Sequence, residues 1–235
     1  MLLLLPAWVS GAFVASNFIV IALLEILKWL NMPASSFLRP AIIQTAIATA
    51  IYALTIAIVI LAPYVMGRKS SIDLRVLGLN RLITWTDIGL APVVFLAYTI
   101  VVSMVLAFVT ALIPNFPTNQ VQDVGFHAFG TSTDNILAFA TLVVLAPLAE
   151  ETLFRGYLYG KLKGYVPAVI AALATSLLFG IAHFQWNVGV DVFVLSLFLC
   201  GLRSLTGSIW AGVLVHMIKN GIAYYILFVS PFVGG

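Results

Sequence analysis

Of 235 residues, 63% are hydrophobic and only 8% are charged, with a mean hydropathy of +1.14. Soluble domains carry about 25% charged residues, so this composition excludes an ordinary water-soluble domain, a disordered chain and a coiled coil. The single cysteine, Cys200, excludes an internal disulfide, and a net charge of +3 is too small an excess to indicate nucleic acid as a partner.

Hydropathy places apolar runs at residues 7–28, 41–66, 88–113, 135–159, 166–184, 189–205 and 208–230, the sixth being the shortest. Each is long enough, or nearly so, for about 30 Å of hydrocarbon. Backbone polar groups have no partner in lipid, so continuous runs of this length read as helices rather than barrel strands. The first run has small residues at Val14-Ala15-Ser16 but no basic stretch ahead of it, so it reads as a span rather than a cleaved signal. Breakers separate the runs: Asn31-Met32-Pro33, Gly67-Arg68-Lys69, Pro114-Asn115-Phe116-Pro117 and Lys161-Leu162-Lys163-Gly164. Thr86-Asp87 and Thr133-Asp134 are the expected N-caps of the third and fourth spans. The expected fold is all-α and integral to the membrane: one domain over 1–235, a polytopic bundle of about seven transmembrane helices with an intramembrane polar site.

Orientation follows from lysine and arginine counted by loop. Arg68, Lys69, Arg75 and Arg81 lie between the second and third spans, Lys161 and Lys163 between the fourth and fifth, and Arg203 near the last connection. The opposite side has Lys28 and Arg39. The N-terminus is therefore expected in the cytoplasm, and the basic 67–87 connection along the anionic leaflet or solvated beside it.

Charge within a span costs at least about 2.5–3.5 kcal/mol per residue, so each instance calls for a partner or a task. Here the charged and polar residues cluster. The fourth span holds Glu150, Glu151 and Arg155, the fifth ends with His183, and the seventh carries His216, Lys219 and Asn220. His127, in the polar outer loop, reads as solvated. Glu151 and Arg155 are four apart and share a helix face, whereas Glu150 is rotated by about 100°. His216 and Asn220 are again four apart, as are Phe179 and His183. Pro147, one turn before the glutamates, kinks the helix and frees a carbonyl. The glycines of Gly156-xxx-Gly160-xxx-Gly164 and Ser176-xxx-Gly180 read as close-packing faces. Any one polar residue could serve only to join helices; two carboxylates, an arginine, two histidines and an asparagine on three helices suggest a reaction. A carboxylate in a low-dielectric pocket can act as general base, a histidine can orient the water, and neutral donors can stabilise an oxyanion. Those parts suit water-mediated amide hydrolysis without a serine or cysteine nucleophile.

Glu150-Glu151-Thr152-Leu153-Phe154-Arg155 fits an EExxxR pattern, Phe179-Gly180-Ile181-Ala182-His183 an FxxxH pattern, and His216-Met217-Ile218-Lys219-Asn220 an HxxxN pattern. In this order they resemble the CPBP family (CAAX proteases and bacteriocin-processing enzymes, also called ABI) over residues 135–225. The resemblance implies a glutamic endopeptidase of intramembrane proteolysis, similar to type II CAAX prenyl proteases. It implies Glu150 and His183 as the water-activating pair, Glu151 and Arg155 as their support, and His216 and Asn220 as the oxyanion hole. A simple helix ruler puts His183 deeper than Glu150, which a tilted or bent fifth helix would resolve. Lys219 has no role in this scheme. No cofactor is expected; the rival reading is a zinc protease with Glu150, His183 and His216 as ligands. A non-catalytic membrane scaffold or immunity protein is the other alternative. GxSG and GxGD, the serine and aspartyl patterns, do not occur. The expected partners are the lipid bilayer and a membrane protein or lipidated peptide substrate, in a prokaryotic plasma membrane.

Overall fold

The computed structural model describes residues 4–67, 73–118, 120, 123–126 and 131–230. Arg68, Lys69 and His127 lie outside the described residues. Among the described residues, regular structure is entirely helical: α1 Leu4–Trp29, α2 Pro40–Val65, α3 Leu74–Leu77, α4 Trp85–Leu112, α5 Ser132–Leu162, α6 Ala168–Ile181, α7 Trp186–Thr206 and α8 Trp210–Val229. Six of these are long and apolar enough to cross a membrane, and α6 is a shorter apolar helix. The protein is a polytopic helical membrane bundle.

Two helix starts differ from the sequence reading. The cap of α4 is Thr84, which accepts from the Asp87 N–H while Asp87 accepts from the Thr84 N–H. The cap of α5 is Thr131, with Asp134 in the same third helical position. The aspartates are therefore partners of a cap three residues upstream: a reciprocal capping box in α4, and in α5 a Thr131 hydroxyl that accepts from the Asp134 N–H and donates to its carboxylate. The short span is also the fifth rather than the sixth. Pro167 starts α6 late and the helix ends at Ile181, giving 14 residues, about 21 Å. By contrast α7 begins at Trp186, ahead of its apolar run, because Trp186 and Asn187 lower the hydropathy there without breaking the helix.

The chain divides into two compact units. The first comprises Leu3–Ile72, Asp123–Glu150 and Asn220–Gly235. In it α1 packs along α2, with Trp8 Nε1 donating to the Val59 carbonyl (3.3 Å). Helix α2 runs parallel to the start of α5. Arg39 pairs with Asp134 (3.1 Å) at one level, and the Thr45 and Thr141 hydroxyls meet at 3.1 Å further along. Wide π-helical turns occur at Ala57–Leu61 and Ala140–Leu145, and each is followed by a proline, Pro63 and Pro147. Proline cannot donate to the helix ladder and crowds the carbonyl four residues back, so a wider turn just before it relieves the conflict.

The second unit comprises Asp73–Gln122 and Glu151–Lys219. Its apolar core gathers Ala91, Tyr98 and Val102 of α4 with Leu195, Leu199 and Leu202 of α7 and Ala211 and Val215 of α8. Helices α6 and α7 form a hairpin in which glycine meets glycine. A Cβ on Gly180 would lie 2.8 Å from the Gly189 carbonyl oxygen. Gly156 and Gly160 likewise admit the α3 backbone, where a Cβ would lie 2.8 Å from Leu77 O and 2.3 Å from Val76 O. The close-packing reading holds for these glycines. Gly164 faces only its own turn.

Residues 73–82 differ from the expected surface loop. Arg203 is buried and donates through Nη2 to the Arg75 and Val76 carbonyls, at 3.0 and 2.9 Å. Ser208 Oγ donates to Gly78 O (2.9 Å), and Trp210 Nε1 to Arg81 O (2.7 Å). Gly78 turns with φ +69°, and any Cβ there would meet the Arg203 guanidinium. Arg81 in turn forms a two-pronged pair with the buried Asp87. Arg203 and Arg81 thus act as structural bonds of this unit, since a buried guanidinium needs carbonyl or carboxylate partners.

Candidate active site

In the second unit, Glu151 and Arg155 are both fully buried, one helical turn apart on α5. Arg155 Nη1 donates to Glu151 Oε1 at 2.8 Å, the i,i+4 pair expected from their spacing. His216, on α8, adds its Nδ1 to the same oxygen at 3.1 Å. Since a carboxylate only accepts, Nδ1 carries the proton of that bond. The Arg155 guanidinium also lies 4.3 Å from the centre of the Phe179 ring, on α6. Phe179 meets His183 and His216 edge-on at 4.9 and 5.9 Å between centroids. One phenylalanine thus spaces both histidines and screens the arginine. Arg155 Nε and Nη2 and Glu151 Oε2 have no hydrogen-bond partner among the described residues, which leaves the ring face as a compensating contact of the guanidinium. Gly212 leaves room for the carboxylate: a Cβ there would lie 3.1 Å from Glu151 Oε2.

His183 is not on a helix. It follows the end of α6, in a turn that Phe184 closes with φ +53°, and the sequence-derived boundary at 184 is corrected to 181. The His183 N–H bonds to Gly180 O in a tightened last turn, which leaves the Phe179 carbonyl without its usual donor. His183 Nδ1 takes that place at 2.8 Å. The carbonyl can only accept, so His183 holds its proton on Nδ1 and its lone pair on Nε2.

Lys219 finds its partner here as well. Its Nζ lies 3.0 Å from Asp191 Oδ2 on α7, and the other Asp191 oxygen accepts a short hydrogen bond from Tyr98 on α4. Asp191 was missed in the sequence although it lies inside the sixth apolar run. The charge rule that singled out Lys219 would have found it, because one intramembrane charge implies another.

In the first unit, Glu150 Oε1 accepts from the Tyr52 hydroxyl of α2 at 2.6 Å. Asn220, on the last turns of α8, donates through Nδ2 to the Leu142 carbonyl at 2.9 Å. That carbonyl is orphaned by Pro147. In the wide turn, the Ala146 N–H bonds to Thr141 O, and the next residue in register is the proline, which has no N–H for Leu142 O. The carbonyl freed by Pro147 is therefore filled by a side chain. Tyr52 was not legible as a site residue, since a tyrosine in an apolar run is ordinary.

The six candidate residues thus fall into two described groups. Glu151, Arg155, His216 and His183 share the surroundings of Phe179 in one unit; Glu150 with Tyr52 and Asn220 with Leu142 belong to the other. Among the described residues, no group of three or more His, Cys, Asp or Glu side chains is placed to hold a metal ion.

Residues 132–222 match the family described as type II CAAX prenyl endopeptidase, Rce1-like. An Escherichia coli protein described as an uncharacterized 24.3 kDa protein is 38% identical over 89 residues, which cover 36% of this chain and 41% of that relative. The chain thus spans about two fifths of the curated relative it matches. No solved structure matches. All six candidate residues lie within the matched segment, over which the chain is similar to that family.

Proposed function

We propose that this protein is an intramembrane endopeptidase that hydrolyses a peptide bond of a membrane-associated or lipidated protein or peptide. The observation that carries the reading is the family match over 132–222, which contains every one of the motif residues. Water attacks the scissile carbonyl while Glu150, assisted by His183, takes its proton. The carbonyl oxygen becomes an oxyanion facing N–H donors from Asn220 and from His216, which as an imidazolium donates through both ring nitrogens, Nδ1 to Glu151 and Nε2 to the oxyanion. The proton then passes to the leaving nitrogen, the C–N bond breaks, and a carboxylate and an amine are released. Glu151 and Arg155 support His216 through the buried Oε1 contacts. The lone pair on His183 Nε2, set by the Phe179 carbonyl, is what a water-orienting role requires. No metal takes part in the proposed step. We place the N-terminus in the cytoplasm on the strength of the basic loops, and propose a prokaryotic plasma membrane as the location.

The test is a mass-spectrometric survey of new peptide termini in membranes of cells expressing wild type or Glu150→Gln at equal abundance, with and without a strong chelator. Termini that appear only with wild type and survive the chelator are the expected result, and their sequences name the substrate. Loss on chelation would favour the zinc mechanism. Identical profiles, in a host containing the natural partners, would favour a non-catalytic scaffold.

A further inference from the structure

We infer that Tyr52 is a positioning residue for Glu150, contributed to the reaction by a helix outside the family-matched segment. The inference rests on the proposed role of Glu150 as the base. The matched segment begins at residue 132, whereas α2 ends at Val65.

Of the other α2 hydroxyls, Thr45 meets the Thr141 hydroxyl of α5, while two show what a threonine in this helix does by itself. Thr49 and Thr55 each donate to the carbonyl one turn back, at 2.7 Å, and so need nothing from a neighbour. Tyr52 instead reaches a residue 98 positions away. Its distance of 2.6 Å is in the range of about 2.5–2.7 Å expected of a hydroxyl donating to a carboxylate. A phenylalanine would suit the apolar stretch around Ile51, Ala53 and Leu54 at least as well, so the hydroxyl is there for Glu150.

The register of the two helices points the same way. From the Arg39–Asp134 pair to the Tyr52–Glu150 pair, α2 advances thirteen residues and α5 sixteen. The wide turns at Ala140–Leu145 take up residues without the usual advance, since they bond at i+5 instead of i+4. Glu150 is thereby brought level with Tyr52. A carboxylate acting as base uses one oxygen on the water. By holding Oε1, the phenol fixes the side-chain rotation of the carboxylate.

The experiment uses the full chain in isolated membranes and in detergent. Turnover is read as the rate at which the wild-type-only termini appear. Tyr52→Phe is expected to slow it about 10- to 100-fold, the range for losing one hydrogen bond to a charged group. Incorporating 3-fluorotyrosine at position 52, which keeps the hydroxyl, restores it to within about threefold, by the same hydrogen-bond reasoning. An effect through helix packing alone would slow no turnover in the well-folded phenylalanine variant. A second readout needs no substrate. The chain has three glutamates, Glu25, Glu150 and Glu151, so isotopic labelling of glutamate with subtraction of Glu150→Gln isolates the Glu150 carboxylate band in the infrared. That band is expected to shift in Tyr52→Phe. An unshifted band overturns the contact. A shifted band with undiminished turnover, in a protein that Glu150→Gln inactivates, overturns the positioning role. If Glu150→Gln is itself active, or wild type yields no termini of its own, the proposed function fails and this inference fails with it.

Discussion

Glu150 and Glu151 are adjacent on one helix and have different surroundings. Glu151 is fully buried, with a guanidinium at 2.8 Å and an imidazole at 3.1 Å on a single oxygen. Glu150 is half-buried and receives a neutral phenol. A helix turns by about 100° per residue, enough to send neighbouring carboxylates to different partners. The contrast suggests a division of labour. Glu151 is tied by a guanidinium and an imidazole within its own unit, whereas Glu150 reaches across to a hydroxyl on another helix. Buried charge without a partner is costly, so the first arrangement is a stability device, and under the proposed function the second serves the reaction.

That comparison can be broken at either glutamate. The largest effect is expected from Glu150→Gln: turnover falls by about 10³-fold or more, in the upper range of general-base contributions, while thermal stability in detergent is unchanged. Equal loss of folded protein would assign Glu150 to structure instead. Arg155→Ala is expected to do the reverse first, lowering stability by about 3–5 kcal/mol because Glu151 is left buried beside no guanidinium. Adding Glu151→Gln to that variant should restore part of the lost melting temperature, and a double variant no more stable than Arg155→Ala would refute the charge argument. A smaller loss, about 1–3 kcal/mol from overpacking, is expected for Gly212→Ala, whose methyl presses on Glu151 Oε2; Tyr52 and Glu150 should be untouched, as the same infrared band would report. The smallest effect is expected of Pro147→Ala. It returns an N–H to the helix near Leu142 O, competes with Asn220 for that carbonyl, and should slow turnover by a few-fold at constant stability, in line with one hydrogen bond of about 1 kcal/mol. Full activity in that variant would mean that the Leu142 contact does not matter to Asn220.

Sequence alone determined the membrane class and the number of long helices to within one, and it named the residues proposed for the site. Hydropathy and the cost of intramembrane charge act residue by residue, so their consequences can be read locally. The Glu151–Arg155 pair was legible for the same reason, being four residues apart on one helix. The close-packing role of Gly156, Gly160 and Gly180 was legible because small residues at helical spacing have few other uses. Only the tertiary structure decided which charges are satisfied by distant partners. Lys219 with Asp191, Arg203 with the carbonyls of Arg75 and Val76, and Tyr52 with Glu150 each join segments far apart in the chain. Nothing local distinguishes Tyr52 from any tyrosine in an apolar run, and Arg203 reads as a loop charge until α3 is seen beneath it. The ends of α6 and the wide turns of α5 were decided at that level too. Backbone carbonyls that lose their helical donor need another one, here the His183 ring at the end of α6 and the Asn220 amide at the wide turn of α5.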